Sequence, residues 1–111
     1  MTVATQLAPP WAEGEERVVE SGTFPIHVRK RGHWYHLDDA GEAVARARSL
    51  GASSDWLSVG ERIVAEEGFN VNRRGVVFVA AVEGRDLARL AERLGACAEA
   101  VHAALLDTTE A

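Results

Sequence analysis

The apolar and polar positions of the chain alternate in short runs over its first third and then change to helical periods. Residues 16–20, "ERVVE", read as a short strand, and Ser21-Gly22 as a turn. Residues 24–30, "FPIHVRK", and 33–38, "HWYHLD", flank Arg31-Gly32 and read as a β-hairpin. Pro25 lacks an N–H for a ladder, so pairing is expected to begin at Ile26.

A helix is expected through "AGEAVARARSLG", capped by Asp38 or Asp39, with Glu42 placed for a capping box and Gly51 as its stop. Ser54 is placed to cap a second helix, in which Trp56, Val59, Ile63 and Glu67 recur at helical spacing and Gly68 ends the run. Gly60 in its middle weakens the helical tendency. "FNV", the turn "NRRG" and "VVFVAAV" form a second hairpin, in which pairing Val71 with Val76 would set Phe69 across from Phe78. The run 76–82 is apolar on both faces and is expected to be a central strand.

Asp86 then opens the strongest element. Leu87, Leu90, Leu94, Cys97, Val101 and Leu105 fall on one stripe of a helix reaching Leu106, roughly 30 Å long at 1.5 Å per residue. The order β-β-β-α-α-β-β-α predicts an α+β fold: an antiparallel sheet of about five strands, helices packed on one face, and a long C-terminal helix. Residues 1–14, with Pro9, Pro10 and Gly14, read as an N-terminal arm without regular structure, flexible or docked on a partner. Residues 15–111 read as a single domain. Trp11 within the arm is costly to leave solvated, so it is expected to dock on this domain or on a partner.

Composition adds boundaries rather than chemistry. A chain of 111 residues, 47% hydrophobic and 26% charged, can bury one core without disulfides or metals. One cysteine, Cys97, rules out an intramolecular disulfide and suits a reducing compartment. The first residues lack the basic and apolar regions of a secretory signal, and no run approaches the roughly 18 apolar residues of a membrane span. A cytoplasmic protein is expected. With 12 basic and 17 acidic residues the net charge is −5, which weakens general attraction to nucleic acid or anionic lipid. Only Lys30 among the basic residues is not arginine, a bias that with abundant alanine suggests a GC-rich coding genome.

Candidate chemistry is concentrated in residues 27–39, "HVRKRGHWYHLDD", which hold three of the four histidines. With a two-residue loop at Arg31-Gly32, His27 stands opposite His36, Arg29 opposite Trp34, Val28 opposite Tyr35 and Ile26 opposite Leu37. One face is then Ile26, Val28, Tyr35 and Leu37, and the other His27, Arg29, Trp34 and His36. A three-residue loop would mix these sets. The two-residue loop costs a positive φ at Arg31. His27 and His36, with Asp38 on the same face, are weak candidates for a metal site, short of the three or four ligands zinc takes. Arg29 across from Trp34 would make a cation–π pair. His27, Arg29, Trp34 and His36, with Trp11, are better read as a protein-binding patch.

Arg31 with Arg73 and Arg74 would form an anion pocket if the two hairpin tips lie at one end of the sheet. Ala96, Ala100 and Ala103 make a small-residue side of the last helix, suited to self-association. Cys97, on the apolar stripe, reads as a buried inert thiol. Residues 43–63 fit the loose spacing of a helix-turn-helix, although the second helix is acidic, with Asp55, Glu61, Glu66 and Glu67.

Taken together these features suggest a non-enzymatic interaction module, acting as a homo-oligomer and binding a protein partner. It would be a small regulator, an adaptor or inhibitor, or a bacterial or phage assembly component. No cofactor, membrane or nucleic-acid partner is expected. The alternatives are a helix-turn-helix regulator and a small metal-binding enzyme using His27 and His36.

Overall fold

The protein is described by a computed structural model, which covers residues 2–20 and 22–109. The expected turn at Ser21-Gly22 includes Ser21, which lies outside the described residues. The elements in chain order are α1 (Val3–Gln6), β1 (Glu16–Val19), β2 (Ile26–Arg31), β3 (Trp34–Asp38), α2 (Glu42–Ser49), α3 (Trp56–Glu67), β4 (Asn70–Val71), β5 (Val77–Val82) and α4 (Leu87–Leu106). The strands form one antiparallel sheet in the order β1-β2-β3-β5-β4. The expected α+β architecture, with its long last helix, is what the chain adopts.

The sheet buries one face. Val19, Ile26, Val28, Leu37, Val77 and Val82 point inward, and the alternate positions point away from the core. The inward side is covered by α4, whose stripe of Leu87, Leu94, Cys97, Val101 and Leu105 is buried, with Ala91 and Ala98 between. Leu90 is only half-buried. α2 and α3 pack chiefly on α4 rather than on each other. Gly60 is buried in α3 facing Val71 of β4, so its lack of a side chain sits at a helix–strand contact.

The first hairpin turns one residue later than expected. Val28 pairs with Leu37, Lys30 with Tyr35 and Arg31 with Trp34, leaving Gly32-His33 as the loop. Only Gly32 of the two takes a positive φ, +62°, the pattern of a type II′ turn, which relieves Arg31 of the left-handed conformation. The slip shifts each pairing by two positions in total, so the two expected faces survive while the cross-strand partners change. The second hairpin differs by one position. Val71 pairs with Val77, and Asn70 with Phe78, so Phe69 and Phe78 do not face each other; Phe69 is buried and Phe78 lies on the outer face.

The side chain of Asn72 shapes that turn by accepting the N–H groups of Arg74 and Val76 at 2.9 and 3.1 Å. Gly75 follows at φ +81°, where a Cβ would lie 3.0 Å from Val44. β5 is an internal strand, but Ala80 and Ala81 are exposed, so it is not buried on both faces. A register shift against β3 falls between Tyr35 and Leu37, opposite Ala81, which takes a φ of 55°.

The arm is not irregular throughout. Val3 and Leu7 enter the core from α1, and the Arg17 guanidinium donates to the carbonyls of Gln6, Ala8 and Pro10. Glu13 accepts the Gly32 N–H at 2.9 Å and so ties the arm's end to the first hairpin turn.

Helix caps also depart from expectation. Ser54 does not cap α3: Asp55 occupies the cap position without a side-chain bond, and Ser53 Oγ accepts its N–H at 3.2 Å. Asp86 stands at the α4 cap, but its carboxylate pairs with Arg89 at 3.0 Å. For α2, Asp39 rather than Asp38 reaches into the helix start, and Glu42 is turned to Arg46.

Candidate functional site

The outward sheet face carries the candidate site. Strand pairing lines its side chains into cross-strand rows: Val18, His27, Asp38 and Phe78 in one, Glu16, Arg29 and His36 in the next, Arg31 and Trp34 in the last. Alternation along β1, β2 and β3 turns all of these to the side that the helices leave uncovered. A shallow cleft of about 250 Å³ opens among Glu16, His27, Arg29, Arg31, His36 and Asp38. Beside it, Trp34 and Val18 are 46% and 49% exposed.

The polar groups are organised around the two carboxylates. Glu16 accepts from Arg29 with one oxygen and contacts His27 Nδ1 at 2.9 Å with the other. The bond from Arg29, followed by that from His27, holds the Glu16 carboxyl below its ordinary pKa of 4.5, and the same contact raises Arg29. On β3, His36 Nε2 lies 3.3 Å from Asp38 Oδ2, while Asp38 Oδ1 accepts the Ala40 N–H at 2.7 Å. The His36 ring stacks on Phe78, with centroids 5.7 Å apart and planes 21° apart.

A carboxylate can only accept, so the nitrogen of each histidine that faces one carries the proton. His27 Nε2 and His36 Nδ1 have no protein partner among the described residues, and neither does the Arg31 guanidinium.

Four of the expected partner-binding residues, His27, Arg29, Trp34 and His36, thus share one face, but with different partners. His36 stands opposite Arg29 rather than His27, and Arg31 rather than Arg29 stands opposite Trp34. The expected Arg29–Trp34 cation–π pair is replaced by the Arg29–Glu16 ion pair. Trp11 is not part of this face. It docks on the inward side against Tyr35, centroids 5.2 Å apart, under the Arg17 guanidinium, and its Nε1 donates to the Leu7 carbonyl at 2.9 Å.

His27, His36 and Asp38 do not converge as a metal-ligand set. Among the described residues, no group of three or more histidine, cysteine or acidic side chains is arranged to hold a metal ion. Asp38 serves instead to hold His36.

The expected anion pocket of Arg31 with Arg73 and Arg74 is overturned by topology. β3 runs from Trp34, beside the first hairpin turn, to Asp38, which pairs with Phe78 near the second. The two basic tips therefore lie at opposite ends of the sheet. In place of that pocket, Arg31 joins the cleft on the sheet face.

Glu16 and Asp39 are the residues that sequence reasoning missed or understated. Glu16 sits in the strand-like run 16–20, and only the β1–β2 register brings it to His27 and Arg29. Asp39 is fully buried and accepts N–H groups from Gly41, Val77 and Ala43 at 2.8, 3.0 and 3.3 Å, joining the start of α2 to the start of β5. Burial raises its pKa above the ordinary 3.8, and the three N–H donors pull the other way.

On the helical side, Ala96, Ala100 and Ala103 are exposed along α4, and the first two line a groove of about 220 Å³ shared with Ile63 and Arg93. Cys97 beside them is buried, and burial pushes its thiol up to about 11. Residues 43–63 form α2, a six-residue connection and the first part of α3. Each of the two helices packs chiefly on α4, and across the connection the Arg48 guanidinium of α2 lies 5.4 Å from the ring centroid of Trp56 in α3.

No family model matches the chain, and neither a curated protein nor a solved structure matches it. No helix among the described residues is long and apolar enough to cross a membrane.

Proposed function

We propose that the chain is a non-enzymatic interaction module that presents the outer face of its sheet to a protein partner and works as a homo-oligomer. Its setting would be cytoplasmic and bacterial or phage, as a small regulator, adaptor or inhibitor, or assembly component. One observation carries the reading: the sheet has helices on only one side, and the open side sets an exposed Trp34 beside Arg31. Tryptophan and arginine contribute most per residue to binding when a partner excludes water from them. Val18 extends the apolar area along the same face, and the ion-paired rows between give the mixed character of a non-obligate interface.

Self-association is assigned to the outward side of α4. Ala96, Ala100 and Ala103 present little bulk, so two helix backbones can approach closely and gain packing along their length.

Two measurements test the proposal. Tagged wild type should retain a partner from a GC-rich bacterial host that a Trp34→Ala, Arg31→Glu variant loses while keeping its far-ultraviolet circular dichroism. In analytical ultracentrifugation, Ala100→Arg should sediment as a folded monomer at ~50 μM, where a micromolar dimer of the wild type is mostly formed. A wild type that is itself monomeric there removes the oligomer from the reading, and partner capture indifferent to Trp34 and Arg31 removes the sheet face.

A further inference from the structure

The cleft on the sheet face has a polarity that decides what it can hold. Two carboxylates line it, and each of their four oxygens already faces a donor of the chain: Arg29 and His27 at Glu16, the Ala40 N–H and His36 at Asp38. A cation entering the cleft would have to compete with these contacts for every oxygen. The unused capacity is of the other kind. The Arg31 guanidinium has no ion pair or side-chain hydrogen bond among the described residues, and Arg29 uses one terminal nitrogen on Glu16. His27 Nε2 and His36 Nδ1 are likewise unpartnered.

We propose that this cleft is a binding site for a small phosphate monoester, with the phosphate held by Arg31, Arg29 and the free nitrogens of His27 and His36. An arginine fork alone would suit a planar carboxylate. Several separate groups around one cleft suit an anion with three or more acceptor oxygens. A neutral imidazole whose proton is committed to Glu16 or Asp38 offers a bare nitrogen, which accepts the proton of a monoprotonated phosphate and then donates back to its oxygen.

The cleft of about 250 Å³ is lined almost wholly by charged and imidazole side chains, so a flat or apolar esterified group is placed at its rim, beside Trp34. Trp34 stands across from Arg31 on the last rung and offers a flat, half-exposed ring, which favours an aromatic or other flat group on the ester. The inference goes beyond the protein partner proposed above but shares Arg31 and Trp34 with it, and titrating the chain alone with phosphates reads the cleft with no partner present.

The test is isothermal titration of the full chain with inorganic phosphate, phenyl phosphate and zinc chloride, alongside tryptophan fluorescence. Both phosphates should bind and zinc should not. Phenyl phosphate should bind several-fold more tightly than inorganic phosphate and quench fluorescence, and Trp34→Ala should abolish that advantage. Arg31→Ala should weaken both phosphates by about tenfold, the loss of one charge-assisted contact. His36→Gln, which keeps a polar side chain of similar reach but cannot take a proton, should weaken both several-fold.

Arg31 has no structural partner, so its variant should stay folded, and unchanged circular dichroism checks that. Absence of phosphate binding up to about 10 mM, where a site of millimolar affinity would be mostly filled, would overturn the proposal. So would phosphate binding indifferent to Arg31→Ala, or stoichiometric zinc binding lost in His27→Ala.

Discussion

Asp39 is the position where a single change should cost most for its size. Its carboxylate is fully buried and satisfies three backbone N–H groups, two at the start of α2 and one at the start of β5. Asp39→Ala leaves these donors without an acceptor. A buried donor so orphaned costs roughly 1–3 kcal/mol. Gly41 lies near enough to solvent to recover part of its share, which puts the total at about 3–5 kcal/mol. That is a large fraction of the roughly 5–15 kcal/mol that holds an ordinary domain together.

Asp39→Asn is the sharper probe. Its carbonyl oxygen can keep the Gly41 and Val77 N–H groups, while its amide faces the Ala43 N–H, donor against donor, so a loss of about 1–2 kcal/mol is expected.

The same pair of proteins gives a pH test. Burial raises the folded-state pKa of Asp39 above 3.8, so ionisation is harder in the fold than in the unfolded chain. The stability that the side chain contributes is therefore fully present below pH 3.8. It falls as pH rises from there through the folded-state value. Asparagine does not titrate, and the other carboxylates are common to both proteins. Urea unfolding from pH 3 to 7 should show the advantage of wild type over Asp39→Asn shrinking as pH rises and then levelling. An advantage that grows with pH, or an Asp39→Ala protein as stable as wild type, would refute this account of the joint.

Two other substitutions test the helical layer. Gly60→Ala places a Cβ 3.6 Å from Val71 Cγ1, an ordinary contact, and removes the helix penalty of glycine. It should stabilise by about 1 kcal/mol, seen as a Tm about 4 °C higher, and a lower Tm would mean β4 cannot accept a methyl there. The Cys97 thiol, raised from 9.0 to about 11 by burial, contributes stability that is present below pH 9 and lost as pH rises through 11. Wild type should lose on the order of 1 kcal/mol relative to Cys97→Ala between pH 8 and pH 10 in urea unfolding, and parallel pH profiles would contradict a buried thiol.

Local pattern was enough to reveal the elements and their inward faces. The leucine stripe of α4, the alternation of Ile26, Val28 and Leu37, and the turn residues near Gly32 and Gly75 are each properties of a few neighbouring residues. The period of a helix or strand follows from the backbone alone. For that reason His27, Arg29, Trp34 and His36 could be placed on one non-core face even with the turn misplaced by a residue: the pleat repeats every two positions, and the slip kept that parity.

Partners across strands were not legible in the same way, because they depend on register and on chain separated by many residues. Whether glycine sits first or second in a two-residue loop decided that His36 meets Arg29 and that Arg31 meets Trp34. Pairing of β1 with β2 brought Glu16 to His27, and the antiparallel order β3-β5-β4 sent Arg73 and Arg74 to the far end from Arg31. Docking of Trp11 on Tyr35 and burial of Asp39 between α2 and β5 likewise required the packed layers. Sequence determined which side chains face away from the core. The tertiary structure decided which of them meet, because contacts between distant segments are set by the lowest free energy of the whole packing and not by any local run.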